Sequence, residues 1–361
     1  MRAVAAPPVA PAASAASARR RSDAPRTHAA VRSRFACGTQ PALRGARAPA
    51  RLASRGAPAR ADSAAAASET ANFTLAYELI KGAEVAAVGP RGLHTAVILH
   101  GIMGSRRNLA SVARRMAAEH PSWQFLLVDL RCHGASAATP APAPHTLNAA
   151  ADDVLRLLSS LKLFPHALIG HSFGGKVAMA MVHRFGQILP RPIQVWVLDT
   201  VPGDVFADGG DHPRDVINYV RALPMPLSSR TELVTALTGA GFTQAGAAWM
   251  TTNLTPMPDG RLRWAFDIAG IAEMYASYEA TDLWPLVEAP PLGARIDFVR
   301  AERSAFRWSG PDEARIEAAG ARVHLLRDSG HWVHIDNAPG LASILAESLR
   351  ERTMQNLRGG G

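Results

Sequence analysis

The sequence contains little cysteine: only Cys37 and Cys132 occur among its 361 residues. Cys37 lies in an N-terminal segment that we expect to be removed, so Cys132 would be the single thiol of the mature chain. A single thiol cannot form an intramolecular disulfide, which is typical of a reducing compartment. The sequence also lacks an H-E-x-x-H motif and paired C-x-x-C motifs, so it does not indicate a catalytic metal.

Features typical of membrane-spanning and nucleic-acid-binding proteins are missing as well. No run of 18 or more apolar residues occurs, so no transmembrane segment is predicted. The net charge is +9, but residues 1–67 hold 12 Arg and only 2 Asp. The remaining residues hold 27 basic and 28 acidic side chains, so the basic pI gives no support for a nucleic-acid partner.

The first 68 residues have the composition of a targeting segment. They consist mostly of Ala, Arg, Ser and Pro, and they show no sustained apolar periodicity. Such a segment cannot bury enough apolar surface to fold, so we expect a disordered organelle transit peptide. Pro7, Pro8 and Pro11 would break the amphipathic helix of a mitochondrial presequence, which favours the chloroplast, with the mitochondrion as the alternative.

From Phe73 onward, short apolar and β-branched runs alternate with helical patterns. This alternation predicts an α/β fold with a mostly parallel, doubly wound sheet covered by helices on both faces. The predicted strands are Phe73 to Leu79, Thr95 to Leu99, Phe125 to Asp129, Ala167 to Ile169, Ile193 to Leu198, Ile296 to Arg300 and Arg322 to Leu325. The predicted helices lie near Leu109 to Glu119, Ala149 to Leu161, Lys176 to Phe185 and Pro339 to Arg350.

One long insertion interrupts this alternation before the penultimate strand. Residues 202–285 contain helical patterns without a convincing strand, and they hold three of the seven Trp and three of the four Tyr. We expect a helical cap over the carboxyl edge of the sheet, where open α/β sheets bind ligands. The predicted organisation is therefore a leader (1–68), a core (69–201 and 286–361) and a cap (202–285).

The stretch "LIGHSFGGKV" (168–177) matches two motifs, a G-x-x-x-x-G-K phosphate loop and a G-x-S-x-G nucleophile elbow. A phosphate loop needs a Ser or Thr after its Lys to ligate magnesium, and Val177 has no hydroxyl. Nucleotide binding is therefore disfavoured. In the elbow interpretation, the flanking glycines let the chain turn sharply and expose Ser172 as the nucleophile.

The rest of a serine-hydrolase site follows in the expected order. "LHGIMGS" (99–105) comes after a strand, where its backbone N–H at Ile102 and that of Phe173 would form an oxyanion hole. "SGHWVH" (329–334) follows the last strand and offers His331 as the base that a serine hydroxyl requires.

Taken together, residues from about Phe73 to Arg350 resemble the α/β-hydrolase fold superfamily. "LHGIMGS", "DLRCHGAS", "IGHSFGGKVAM", "VLDTVP" and "GHWVHIDNAP" carry the resemblance. They are most similar to small soluble serine esterases of bacteria and organelles. The resemblance implies hydrolysis of a small-molecule carboxylic ester through an acyl-enzyme, without a cofactor and with a helical cap. The aromatic cap favours an apolar acyl or alkyl group.

The acidic member of the triad has two candidates. Most α/β-hydrolases place it after the strand that follows the cap, and Glu302 is the only carboxylate in that segment, "FVRAERSAFRW" (298–308). The esterase branch places an Asp before the cap, which corresponds to Asp199, and a serine after the later strand, which corresponds to Ser304. Asp199 is the favoured acid, Glu302 the alternative, and Ser304 an auxiliary hydrogen-bond donor.

Several nearby polar residues have structural interpretations. We expect His171 to pack within the elbow, His100 and His133 to fix loops through hydrogen bonds, and Arg131 and Asp129 to brace a strand end. His334 and Asp336 are expected to support the loop of His331. The remaining residues of interest are basic side chains of the cap, whose clustering would indicate a polyanionic substrate: Arg214, Arg221, Arg230, Arg261 and Arg263.

Two other functions fit the same fold. A carbon–carbon lyase, such as a quinone-biosynthesis synthase, would use the same Ser and His without a lasting acyl-enzyme. A non-catalytic ligand receptor is a weaker alternative because such a receptor usually lacks the nucleophile or the base, and both are present here. Fold alone does not decide among these functions.

Overall fold

The computed structural model describes residues 73–87, 93–205, 211–304 and 308–358, with side chains up to residue 350. The predicted leader and Cys37 lie outside these residues. None of the helices in the described part combines the length and the apolarity that a bilayer crossing requires.

A seven-stranded sheet forms the centre of the fold. Its strands are β1 (Tyr77–Lys81), β2 (His94–Leu99), β3 (Trp123–Val128), β4 (Ala167–His171), β5 (Ile193–Leu198), β8 (Ala294–Arg303) and β9 (Arg322–Gly330). They lie in the order β1-β3-β2-β4-β5-β8-β9, and every neighbouring pair is parallel except β1 with β3. The predicted mostly parallel sheet is therefore confirmed.

Helices cover both faces of this sheet. Along β2, Ala96 and Ile98 face one apolar cluster, whereas Val97 and Leu99 face the other. The strand is fully buried because both faces are covered, as in other parallel sheets. The core helices are α1 (Ala110–Glu119), α2 (Leu147–Leu161), α3 (Phe173–Phe185), α9 (Gly310–Ala318), α10 (Val333–Asp336) and α11 (Ala338–Arg358).

The segment between β5 and β8 consists mainly of helices. It contains one feature that the sequence patterns missed, a short hairpin of β6 (Leu254–Pro256) and β7 (Leu262–Trp264). The hairpin turns at Gly260, whose φ of 83° is readily adopted only by glycine. The prediction of a strand-free insertion was therefore wrong at this point. The helices of the segment are α4 (Pro213–Ala222), α5 (Arg230–Gly239), α6 (Gln244–Met250), α7 (Ile268–Ala280) and α8 (Trp284–Glu288).

The first predicted strand was also misplaced. We predicted Phe73 to Leu79, but the strand is Tyr77–Lys81, and Phe73 and Leu75 instead belong to the apolar core. Periodicity alone cannot separate a short strand from a neighbouring buried loop.

The strand order places two loops side by side at the carboxyl edge of the sheet. The chain runs from β2 to β3 on one side and from β4 to β5 on the other, and Leu99 of β2 pairs with Gly170 of β4. The loops after β2 and β4 therefore flank the point where the winding reverses. Open α/β sheets bind their ligands at such a point.

Candidate active site

Ser172 occupies a sharp turn between β4 and α3. Its φ of 51° and ψ of −114° are costly for a residue with a Cβ, and its N–H donates to the carbonyl of Leu198 at 2.8 Å. A Cβ at Gly170 would lie 2.1 Å from the carbonyl oxygen of Gly174, and a Cβ at Gly174 would lie 2.5 Å from that of Leu99. The turn thus requires glycine on both sides, which explains the spacing of the G-x-S-x-G motif.

His331 and Asp199 contact each other directly. Nδ1 of His331 lies 2.8 Å from Oδ2 of Asp199, although 132 residues separate them in the sequence. The Asp199 carboxylate is completely buried. It also accepts hydrogen bonds from the Ala301 N–H at 3.0 Å, the Ser304 hydroxyl at 2.8 Å and the Trp308 indole at 3.3 Å. A buried carboxylate needs such donors to compensate for its lost hydration.

The two candidate acids, Glu302 and Asp199, lie in different surroundings. Glu302 is exposed on β8, and its carboxylate accepts the N–H of Asp328 at 2.9 Å. Asp199 is the carboxylate that reaches Nδ1 of His331. Ser304 contacts the same oxygen of Asp199 that His331 does.

Two buried histidines shape the loop that contains Ile102. The Met103 N–H donates to Nε2 of His133 at 3.0 Å, and the Leu130 N–H donates to Nε2 of His100 at 3.0 Å. Because Nε2 accepts in both rings, Nδ1 carries the proton and donates to a backbone carbonyl, that of Arg131 or Gly101. Burial lowers the pKa of His100 to about 4 and that of His133 to about 3. Both rings are therefore neutral at pH 7, and their tautomers fix the loop.

Charged residues brace the neighbouring loops. Arg131 forms a buried ion pair with Asp153 at 2.6 Å and also donates to the carbonyl of Pro144 at 2.9 Å. Asp129 forms an ion pair with Arg106 and accepts the Ala135 N–H at 2.8 Å. These contacts hold the loops that follow β2 and β3.

His171 does more than pack within the elbow. Its Nε2 lies 2.8 Å from the carbonyl oxygen of His331, and the two rings are 4.7 Å apart. Burial, followed by repulsion from His331 and His334, lowers the pKa of His171 well below its usual value. The neutral ring therefore donates from Nε2 and ties the elbow to the His331 loop. The motif's variable position gives no signal for this contact.

Asp336 and His334 contact residues in and around the His331 loop. Asp336 accepts the Gly330 N–H at 2.7 Å. His334 is buried with its ring 5.1 Å from that of His171, and burial lowers its pKa to about 4.

A cavity of about 190 Å³ opens beside Ser172 and His331. The Trp249 ring of α6 and the Trp332 ring lie 4.3 Å apart at its wall. Within the described residues, no lysine or arginine lines it. The rest of the lining is mostly apolar and includes Ile102, Met103, Val216, Leu237, Phe242 and Met250.

Tyr278 of α7 reaches the back of the site from the inserted segment. Its hydroxyl lies 2.6 Å from that of Thr200, and its ring lies 5.7 Å from that of Phe173, the residue after Ser172. Burial raises the pKa of this phenol far above its usual value, so the hydroxyl stays protonated. No sequence pattern singled out Tyr278, because the aromatic residues of the insertion were equally consistent with simple packing.

Lys176 is buried, and its ammonium group donates hydrogen bonds to backbone carbonyls of the protein. Its Nζ donates to the carbonyls of Gly203 at 2.7 Å, Tyr278 at 2.9 Å and Thr281 at 2.9 Å. Burial lowers its pKa to about 8. This lysine holds the inserted segment to α3 and does not face an open phosphate-binding loop.

None of Arg214, Arg221, Arg230, Arg261 and Arg263 lines the cavity beside Ser172. Arg214 pairs with Glu279, and Arg261 pairs with Asp259. Arg230 and Arg263 line a separate groove of about 710 Å³. In the described residues, the lining of that groove does not include Ser172.

The alpha/beta hydrolase family model matches residues 96–344 of this sequence. The chain therefore belongs to the alpha/beta hydrolase family. Solved structures agree with this fold: a marine microorganism esterase has a TM-score of 0.61 at 22% identity and covers 76% of this chain and 99% of its own.

Curated relatives include lipases and esterases. The mouse sn-1-specific diacylglycerol lipase ABHD11 is 28% identical over 253 residues, which cover 69% of this chain and 78% of the mouse protein. Lipase LipV of Mycobacterium tuberculosis is 28% identical over 270 residues, covering 73% and 96%. Esterase YbfF of Escherichia coli is 23% identical over 260 residues, covering 71% and 92%.

Proposed function

We propose that this protein hydrolyses carboxylic esters through an acyl-enzyme formed on Ser172. The observation that carries the proposal is the contact between His331 and the buried, fully hydrogen-bonded Asp199. A serine hydroxyl becomes a good nucleophile only when an oriented imidazole takes its proton. The strained elbow and the apolar cavity beside the same serine support this assignment.

In the first half of the reaction, His331 removes the proton of Ser172 while Oγ attacks the ester carbonyl. The developing oxyanion accepts hydrogen bonds from the N–H groups of Ile102 and Phe173. Phe173 is the first residue of α3, so its N–H has no acceptor within the helix and is available. His331 then passes its proton to the departing alkoxide, and the alcohol leaves.

In the second half, water repeats the attack on the acyl-enzyme. His331 takes a proton from water, the tetrahedral intermediate collapses, and Ser172 recovers its proton as the acid departs. Asp199 holds Nδ1 of His331 protonated, so that Nε2 is the basic nitrogen, and it stabilises the imidazolium that forms twice per turnover. Ser304 holds the carboxylate in place.

We propose a small-molecule ester with an apolar acyl or alkyl group as the substrate. The cavity lining is mostly apolar, and the relatives named above are lipases and esterases. The same lining disfavours the carbon–carbon lyase with a polyanionic substrate, because none of the five arginines of the insertion named above lines the cavity. The presence of both Ser172 and His331 disfavours a non-catalytic receptor.

We further propose that residues 1–68 direct the protein to an organelle, with the chloroplast favoured over the mitochondrion. The Arg-rich, acid-poor composition supports a transit peptide. Sequencing the N-terminus of the mature protein from fractionated cells would test this proposal, and an intact Met1 terminus in the cytosol would contradict it.

Acyl-enzyme chemistry can be tested with a fluorophosphonate probe and p-nitrophenyl esters. The Ser172 oxygen should bond to the probe's phosphorus as fluoride leaves. Ser172→Ala should lose both labelling and turnover, whereas Ser343→Ala, an exposed serine on α11, should keep both. If the wild-type protein neither labels nor cleaves any ester, the hydrolase proposal is wrong and the lyase becomes the leading candidate.

A further inference from the structure

A cluster of metal-ligand side chains lies outside the candidate active site. The Cys132 sulfur, a His145 ring nitrogen and an Asp267 carboxylate oxygen all lie within 4.8 Å of one another. The Cys132 sulfur is 3.4 Å from Nδ1 of His145. The three residues come from the loop after β3, the loop before α2 and the residue that precedes α7.

Backbone hydrogen bonds hold these three segments together. The Asp267 N–H donates to the carbonyl of Cys132 at 2.8 Å, and the His145 N–H donates to Oε2 of Glu273 at 3.3 Å. Asp267 also caps α7, where its Oδ1 accepts the N–H groups of Ala269 and Gly270. The second carboxylate oxygen, Oδ2, takes no part in this cap.

Gly270 leaves room for the cluster. A Cβ at this position would lie 2.4 Å from the sulfur of Cys132 and 2.9 Å from Oδ2 of Asp267. The thiol and Oδ2 of Asp267 therefore both lie next to Gly270, the one residue of α7 that has no side chain. A larger residue here would push them apart.

Cys132 itself has an unusual backbone. Its φ is 64°, in the left-handed region that glycine, asparagine and aspartate adopt most readily. Backbone preference does not explain a cysteine at this position. Strain at a non-glycine residue is a common mark of a site with a function.

We propose that Cys132, His145 and Asp267 bind a zinc-class divalent cation. Zinc prefers thiolate, imidazole and carboxylate ligands in tetrahedral geometry, and its bond lengths put the sulfur and nitrogen ligands about 3.5 Å apart. The observed 3.4 Å matches this separation. The exposed Asp267 carboxylate would supply the third ligand, and water would take the fourth position.

Metal binding releases one proton, that of the Cys132 thiol, and changes no oxidation state. The Cys132 S–H bond breaks, a sulfur–metal bond forms, and the proton passes to solvent. The bound ion would join the loop after β3 to α7. Because α7 also carries Tyr278, which contacts Thr200 and Phe173, the ion would connect the loop after β3 to a helix that packs against the candidate site.

Cobalt(II) is a suitable probe because its tetrahedral thiolate complexes are coloured. We expect the full-length chain, reduced and freed of metal, to bind one Co²⁺ and to show a thiolate-to-cobalt charge-transfer band. Cys132→Ser should abolish the band. It should also weaken Co²⁺ binding by more than about 10–100-fold, which is the loss expected when only a residue that supports a metal ligand is changed. Zn²⁺ should displace the cobalt and bleach the band.

Three variants make the test specific. Cys37→Ser is the matched control, and it should keep the band. Asp267→Asn should weaken binding while preserving the helix cap, because asparagine caps helices as well as aspartate does. Cys132→Asn removes the thiol with a residue that suits positive φ, so it decides the test if Cys132→Ser does not fold.

A wild-type spectrum without a charge-transfer band would overturn the proposal. So would a band that survives in Cys132→Ser or Cys132→Asn, or one that disappears in Cys37→Ser. Thermal unfolding provides a second measurement, independent of colour. Zn²⁺ should raise the melting temperature of the wild type and of Cys37→Ser but not that of Cys132→Asn.

Discussion

Nδ1 of His331 lies 2.8 Å from Oδ2 of Asp199, and this contact joins the loop after β9 to the loop after β5. Among the described residues, four donors surround the Asp199 carboxylate: His331, Ser304, Trp308 and the Ala301 N–H. The carboxylate is thus held in one orientation, and it imposes that orientation on the imidazole. Under the proposed function, substitutions that disturb this contact should lower activity.

Asp199→Asn should reduce kcat on p-nitrophenyl esters by on the order of 10⁴-fold, because an amide favours the wrong imidazole tautomer. Glu302→Gln is the matched control, since Glu302 contacts Asp328 and should leave kcat unchanged. Steady-state kinetics of both variants would decide between the two acids. A large loss in Glu302→Gln with an active Asp199→Asn would reverse the assignment.

Ser304→Ala should have a smaller effect. It removes one of the four donors that the described residues offer the carboxylate, and a hydrogen bond to a charged group is worth about 1.5–3 kcal/mol, so kcat should fall roughly 10–100-fold with little change in KM. Steady-state kinetics of Ser304→Ala would measure this loss, and normal kinetics would show that Ser304 is dispensable.

The sequence predicted the parallel sheet and much of the site because both depend on local patterns. Buried β-branched runs mark strands, and the glycines around Ser172 mark a turn that only glycine can make. The contact of Asp199 with His331 was inferred from a family resemblance, since residues so distant in sequence carry no local signal for it.

Other contacts could not be predicted from sequence patterns, because they too join residues that are distant in the sequence. His171 meets the carbonyl of His331, and Tyr278 meets Thr200, only because the fold brings distant segments together. The β6–β7 hairpin was missed because its strands are three residues long, too short to show alternation. Its only signal was the Asp259-Gly260 pair, a typical turn sequence.

The buried histidines predict loss of stability in acid. Burial lowers the pKa of His100 and His334 to about 4, below the value of 6.5 that an unfolded chain has. Between these values the unfolded state binds more protons, so the stability present above pH 6.5 is lost as pH falls toward 4. Each histidine should contribute roughly 3 kcal/mol to this loss.

Urea unfolding between pH 7 and 4.5 would measure this effect. His100→Asn should flatten the dependence of the unfolding free energy on pH. His183→Gln, which changes an exposed histidine, should leave it unaltered. Equal slopes in wild type and His100→Asn would contradict the proposed neutral state of His100.

Lys176→Met should destabilise the protein without involving nucleotides. The substitution leaves the carbonyls of Gly203, Tyr278 and Thr281 buried without their donor, which should lower the unfolding free energy by about 3 kcal/mol. Arg184→Met, a substitution of an exposed cation on the same helix, is the control. ATP should not raise the melting temperature of the wild type, and a clear rise would revive the phosphate-loop interpretation.

Trp249→Ala should enlarge the apolar cavity at the wall where Trp249 meets Trp332. Longer acyl chains would then fit, and because an apolar pocket discriminates one methylene by about 1–3 kcal/mol, preference for octanoate over acetate should rise roughly tenfold or more. The ratio of kcat/KM for the two p-nitrophenyl esters measures this preference. Trp264→Ala is the control, because Trp264 lines the separate groove that also contains Arg230 and Arg263. The kcat/KM ratio of this variant should match that of the wild type. If both variants shift the ratio equally, the cavity beside Ser172 does not select the acyl chain.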